Sequence, residues 1–276
     1  MKAKKFKKIY VEITNVCNLS CPFCLELKRE RQFMDFLKFE EIIRKVKDYT
    51  DYLYLHIKGE PLIHPHFNRI LEACAKNNLL VNLTTNGTLI KENYQTLIES
   101  STIRQINIST HSFSEFAENK QGEYLDEVIK LVKYAEKEGE FYISLRFWLG
   151  NNQLQNFAIS YLESELNVKI VPTDKAILRN VYVSFDSEFV WPEAETNTSD
   201  FVYCHGIKDH IGILVDGTVV PCCLDGNGVI NLGNLFTSSL EEILSSPRYL
   251  KMLKALETRK MEEELCLRCS FKNRFR

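Results

Sequence analysis

The chain has 276 residues, 45% of them hydrophobic, enough for one sizeable core or a large domain with a small appendage. A net charge of −2 offers no global field for nucleic acid, and Lys2, Lys4, Lys5, Lys7 and Lys8 read as a solvated end before the first strand. No apolar stretch approaches the ~20 residues of a membrane span and no secretion signal is present, which predicts a cytoplasmic protein.

Nine cysteines in a reducing compartment argue for metal rather than a disulfide framework, and seven of them fall into two ligand-like groups. The first follows a short β-like run at 9–14: Cys17-Asn18-Leu19-Ser20-Cys21-Pro22-Phe23-Cys24 places three thiols in eight residues. A closed zinc site takes four ligands, as does a fully ligated iron–sulfur cluster, so three thiols leave one iron of a cubane open to an outside ligand.

From there the chain alternates strand and helix signals. Strands are predicted at 9–14, 52–58, 80–86, 103–110, 141–148 and 181–186, and helices near 39–49, 66–77, 91–99, 124–138 and 152–165. Glu40 and Glu41 early in the first helix, with Lys45 and Lys47 late, suit its dipole. Cys74 falls on the apolar stripe of the second helix and reads as core; His64 and His66 read as loop or helix-start residues. The second strand runs into Lys58-Gly59-Glu60-Pro61 and the third into Thr85-Asn86-Gly87. Helix-length connections predict parallel pairing, yet the strands alternate where strands buried on both faces would read as continuous apolar runs. Ile9, Val11 and Ile13 oppose Tyr10, Glu12 and Thr14; Leu53, Leu55 and Ile57 oppose Tyr54, His56 and Lys58. The later strands repeat the design and put Asn82, Asn86, Asn107, Ser109, His111, Arg146 and Asp186 on the polar face. Helices cover the apolar face, so these residues line a polar lumen, and parallel barrels bind ligands at the C-terminal ends of their strands.

The cysteine spacing, with Phe23 before the last thiol, Gly59-Glu60-Pro61 and Asn86-Gly87 resembles the radical S-adenosylmethionine (radical SAM) enzymes. The resemblance implies an α/β fold, a partial (β/α)6 TIM-like barrel over residues 1–186, with Cys17, Cys21 and Cys24 holding a 4Fe-4S cluster whose open iron takes S-adenosylmethionine. It assigns Phe23, Gly59, Glu60, Asn86 and Ser109 to the cofactor, with Arg146 as a partner for its carboxylate or for Glu12. Lys58 departs from the family's usual Gly-Gly-Glu-Pro.

Residues 187–200 read as a connector. Asp216-Gly217 between two apolar runs predicts a hairpin, 240–256 a helix, and Cys204, Cys222, Cys266 and Cys269 a second ligand set; Cys223, pointing opposite to Cys222, receives no role. By themselves these pairs suit zinc as well as iron–sulfur. The arrangement resembles Twitch, a truncated SPASM module, which implies a C-terminal domain at 187–276 with one auxiliary 4Fe-4S cluster in a structural or electron-transfer role.

A radical SAM enzyme uses one electron, from a flavodoxin- or ferredoxin-type reductant, to generate a 5′-deoxyadenosyl radical that abstracts hydrogen from its substrate. The polar lumen predicts a small polar substrate. The whole-chain pattern, with the His56–His66 segment, is similar to the queuine lyases, which convert queuine to preQ1 in queuosine precursor salvage; Glu12, His56 and His111 are the substrate-contact candidates. The alternatives are a dehydrogenase of an amino sugar or aminocyclitol, a peptide-modifying maturase, disfavoured by a first strand starting at Ile9, and a non-catalytic zinc-binding module.

Overall fold

The computed structural model describes residues 5–115, 118–149, 153–173, 175–196, 198 and 203–275. Lys2 and Lys4 of the basic end, the first predicted residue of the 152–165 helix, and residues 197, 199 and 200 of the connector lie outside them.

Among the described residues, six parallel strands alternate with five helices: β1 (Lys8–Val11), α1 (Phe36–Val46), β2 (Tyr52–Tyr54), α2 (Phe67–Lys76), β3 (Leu80–Thr85), α3 (Ile90–Glu99), β4 (Ile103–Ile108), α4 (Glu118–Lys137), β5 (Tyr142–Trp148), α5 (Gln153–Leu166) and, after a short β6 (Ala176–Leu178), β7 (Val181–Asp186). This is the partial barrel expected from the sequence. The strand β6, which pairs antiparallel with β7 and ends the sheet, was not expected. The apolar faces behave as the alternation requires: Ile9, Val11, Leu53, Val81, Leu83, Ile106, Ile108, Ile143 and Leu145 are wholly buried against residues such as Phe39, Ile42 and Val46 of α1 and Ile70, Leu71 and Cys74 of α2. Each such burial contributes roughly 1.5–3 kcal/mol.

Several boundaries moved for local reasons. Helix α1 starts three residues before the predicted 39 because the Asp35 carboxylate accepts from the Leu37 and Lys38 amides at its N-terminus. β1 and β2 stop at Val11 and Tyr54, short of 14 and 58, and their polar residues Glu12, His56 and Lys58 stand on the segments that leave the ladder. The single helix expected at 240–256 is two, α6 (Leu240–Leu244) and α7 (Pro247–Thr258). Ser246 caps α7 and Pro247 occupies its first turn, where the missing N–H costs nothing.

The C-terminal segment is continuous with the barrel. β8 (His210–Ile213) pairs parallel with β1 over Lys8↔His210 to Val11↔Ile213. β9 (Thr218–Val220) and β10 (Gly233–Asn234) follow antiparallel, giving a ten-stranded sheet ordered β10-β9-β8-β1-β2-β3-β4-β5-β7-β6. Gly217 turns the β8–β9 hairpin in the left-handed region (φ +83°), and the Asp216 side chain accepts from the Thr218 amide. The last helix, α8 (Glu264–Arg268), carries Cys266 and ends at Cys269.

Candidate active site at the mouth of the barrel

The cysteine loop is seated backbone against backbone. Gly59, at φ +78°, lies so close to it that an added Cβ would fall 2.5 Å from the Thr14 carbonyl oxygen and 2.8 Å from that of Val16. The next amide, of Glu60, donates to Val16 O at 2.9 Å. Gly59→Ala therefore meets a left-handed φ, worth roughly 1–2 kcal/mol by itself, and a clash with backbone that has no side-chain rotamer to yield. We expect a lower unfolding midpoint and reduced iron content in the variant, read by anaerobic thermal melts and iron analysis.

Glu60 is almost wholly buried. Its carboxylate accepts from Leu62 N (3.1 Å), Thr85 Oγ1 (2.8 Å) and Asn86 N (2.7 Å), tying the end of the second strand to that of the third. Burial raises its pKa to about 7, against the pull of those three donors. Asn86 reaches back to the loop: its Nδ2 donates to Asn18 Oδ1 at 3.0 Å and lies 3.8 Å from Cys17 Sγ. Gly87 (φ +83°) makes room for the Tyr124 hydroxyl, which donates to Asn86 O.

Together these residues enclose a cavity of about 460 Å³ lined by Cys17, Cys21, Phe23, Cys24, His56, Lys58, Gly59, Glu60, Asn86, Ser109, His111 and Trp191. Among the described residues no three acidic, histidine or cysteine side chains converge on a point suited to one metal ion. The three thiols all line this cavity and supply the soft donors that an iron–sulfur cluster takes. On the sequence prediction, this one cavity collects Phe23, Gly59, Glu60, Asn86, Ser109, His56 and His111. Arg146 stands on the lumen face of β5, near enough to both histidines for its charge to act on them.

Both imidazoles are held neutral. Burial first, then the charges of Arg146 and Lys8, pulls His56 down to about 3, and burial with Arg146 pulls His111 to about 4. His56 Nδ1 is buried with no partner, and the His111 ring lies 4.7 Å from that of Trp148. A folded-state pKa below the unfolded ~6.5 means that the unfolded chain binds the proton first. The stability each histidine contributes is complete above pH 6.5 and is lost as pH falls toward its folded value. Between pH 7.5 and 5.5 the loss is about 1 kcal/mol per histidine, and denaturant titrations of His56→Asn protein should have a correspondingly shallower pH dependence.

Glu12 behaves differently from the expectation that paired it with substrate or with Arg146. It is completely buried, and Arg29, on the cysteine-bearing segment, donates to Oε1 and Oε2 at 2.7 and 2.8 Å. The Lys58 and Val215 amides donate to the same carboxylate at 3.2 and 3.0 Å, and Arg29 also binds Gly226 O. Glu12 thus joins the loop, the second strand and the C-terminal hairpin. Its partner sits 17 residues away in a segment with no regular pattern, so nothing in the sequence announced the pair.

Trp191, within the predicted connector, was also missed. Its indole N–H donates to Phe23 O at 2.8 Å, and its ring packs with Phe23 and Phe189, laying the connector against the cysteine loop.

A second cavity, of about 470 Å³, is lined by Cys204, Cys222, Cys223, Cys266 and Cys269. The predicted four thiols share it, and Cys223, to which no role was given, borders it too. Gly206 packs between Cys204 and Cys222, where a Cβ would lie 3.4 Å from each, and its amide donates to Cys204 Sγ. Buried Lys272 donates to the Cys266 and Leu267 carbonyls and so fixes the end of α8. Burial raises the pKa of all four thiols, so a thiolate set here needs a metal's positive charge to form.

A parallel partial barrel with three thiols at its mouth and a C-terminal pocket lined by five more makes this a thiol-rich α/β protein of the kind that binds metal. Residues 11–152 match the radical SAM superfamily and residues 204–270 the SPASM iron–sulfur cluster-binding domain. The chain belongs to the radical SAM superfamily; its cofactors are S-adenosylmethionine and a 4Fe-4S cluster, with an auxiliary iron–sulfur cluster in the C-terminal domain. The membership sets aside the non-catalytic zinc-binding module. Similar curated proteins include a probable GTP 3′,8-cyclase of Methanococcus maripaludis, 22% identical over 84% of this chain and 89% of that protein, and the GTP 3′,8-cyclase of Clostridium botulinum, 23% identical over 95% and 94%. Among solved structures, BtrN in complex with AdoMet and 2-DOIA superposes with TM-score 0.59 at 17% identity, covering 97% of this chain and 94% of that one. Streptococcus suis SuiB bound to its precursor peptide SuiA gives TM-score 0.60 at 20% identity, covering 97% and 70%.

Proposed function

We propose that Cys17, Cys21 and Cys24 hold the cluster that binds S-adenosylmethionine, that Cys204, Cys222, Cys266 and Cys269 hold the auxiliary cluster, and that the substrate is a small, flat heteroaromatic molecule, with queuine, cleaved to preQ1, as the first candidate. The observation that carries the substrate class is the wall of the cavity beside the thiols. Phe23, His56, His111 and Trp191 present four flat rings there, and both imidazoles are uncharged. Such rings stack on a planar heterocycle, and a neutral imidazole pairs with its N–H and C=O edges. His56 Nδ1 is buried with no hydrogen-bond partner, which leaves that imidazole with bonding capacity to spare. The GTP 3′,8-cyclases that the chain resembles also act, by name, on a purine nucleotide.

Held by Cys17, Cys21 and Cys24, a reduced cluster with S-adenosylmethionine would supply radical chemistry for hydrogen abstraction from the substrate. This chain's residues do the rest. Gly59 and Glu60 shape the methionine end of the cavity, Asn86 and Ser109 line the cofactor side, Arg146 offers a guanidinium, and the ring-lined wall orients the substrate and excludes water. A flavodoxin- or ferredoxin-type protein is the expected electron donor.

End-to-end likeness to BtrN, solved with AdoMet and 2-DOIA, favours a second reading, dehydrogenation of an amino sugar or aminocyclitol. Anaerobic incubation of reconstituted protein with S-adenosylmethionine, a reductant and queuine decides between them. Formation of preQ1 with deoxyadenosine supports the lyase. Deoxyadenosine without preQ1, together with an oxidised product from an aminocyclitol, supports the dehydrogenase and removes queuine.

A further inference from the structure

Lys58 occupies the position where the family motif has its first glycine, and three separate segments hold it there. Its amide donates to Glu12 Oε1 at 3.2 Å. Its stem crosses Gly226, where an added Cβ would stand 3.2 Å from both Cγ and Cδ. Its ammonium lies 4.9 Å from the centre of the Trp191 ring, which the Phe23 carbonyl pins to the cysteine loop. The side chain lines the same cavity as Cys17, Cys21 and Cys24. Glu12, the nearby carboxylate, is committed to Arg29, and among the described residues no salt bridge neutralises Lys58. Burial, the largest influence, lowers its pKa below the ordinary lysine value, with Arg29 acting the same way and Cys24, Glu12 and Cys17 opposing.

We propose that Lys58 tunes the metal site of the cysteine loop, its fixed positive charge raising the reduction potential of the cluster held there. The inference rests on the ligand assignment under Proposed function. A cubane with three thiolates is anionic and gains one further negative charge when an external donor delivers one electron. A cation in the partly dehydrated wall therefore stabilises the reduced state more than the oxidised one. Trp191 holds the ammonium in the wall of that cavity through cation–π attraction without cancelling its charge. Lys58 is in this sense a positioning residue for charge, and electrochemistry reads it directly.

The test is an EPR-monitored redox titration of anaerobically reconstituted full-length protein without S-adenosylmethionine, using dithionite and mediators. Wild type is compared with Lys58→Met, which keeps the stem, and with Lys58→Arg, which keeps the charge; the auxiliary cluster serves as internal reference. We expect the first cluster of Lys58→Met to be about tenfold harder to reduce, a shift of about 59 mV to more negative potential for one electron. Lys58→Arg should stay near wild type, and the auxiliary potential should not move. An unchanged first-cluster potential in Lys58→Met, or equal shifts of both clusters, overturns the proposal. If Lys58→Met fails to assemble its cluster, Lys58→Gln is titrated against the same criterion. Wild-type protein with only the auxiliary cluster would instead remove the ligand assignment and the inference with it, so the two failures are distinct.

Discussion

Cys24→Ala protein is expected to bind about four irons per chain where the wild type binds about eight, and to form no deoxyadenosine from S-adenosylmethionine. Cys21 and Cys24 lie on one turn, closed by the Cys24 amide donating to Cys21 O at 3.0 Å, so the remaining scaffold keeps its shape while losing a ligand. Two thiols then face a cavity made for three. A cubane with two protein ligands exposes a second iron and is lost to solvent or chelators. The auxiliary thiols come from Cys204 onward and border their own cavity, which is why four irons should remain. Cys74→Ala is the matched control: that thiol is buried in the apolar core under α2, and its loss should leave both clusters in place. Iron and sulfide analysis with product assay reads both variants. Wild-type turnover by Cys24→Ala protein shown to lack the first cluster would remove the ligand assignment.

The parts of this site legible in the sequence are those where chemistry and geometry are both local. Three cysteines in eight residues, Gly59-Glu60 and Asn86-Gly87 each sit at a strand end, and alternation along the strands marks which face carries them. The lumen residues His56, Ser109 and His111 followed from period alone. What stayed hidden depends on pairing between distant segments. β8 joins β1 across about 200 residues, a contact neither strand encodes by itself. β6 is three residues long and edges the sheet, too short for a periodic signal. Trp191 belongs to a run without regular spacing and gains its role only when its N–H meets the Phe23 carbonyl. The break between α6 and α7 is of another kind, since Ser246-Pro247 is a start signal visible in the sequence, masked by apolar residues that continue the period across it.

Arg29→Met is expected to destabilise the holoprotein by about 3–5 kcal/mol, the cost of leaving a buried carboxylate without its cation. Glu12 has no exposure at all, and its partner's side chain is only 14% exposed, so solvent screens the pair weakly. The arginine also binds Gly226 O through Nε and NH2, so its removal loosens the cysteine segment from the C-terminal hairpin as well. Glu12→Gln should cost less: an amide oxygen still accepts from Arg29 or from one of the Lys58 and Val215 amides, though one buried donor then lacks an acceptor, at roughly 1–3 kcal/mol. Combining the two changes removes the charge and its counter-charge together, and the double variant should recover part of the Arg29→Met loss; the recovered amount is the coupling energy of the pair. Urea titrations of anaerobic, cluster-loaded protein give all three values from their midpoints. A loss below about 1 kcal/mol for Arg29→Met would mean that Glu12 is protonated in the folded chain. The clamp would then be a set of neutral hydrogen bonds.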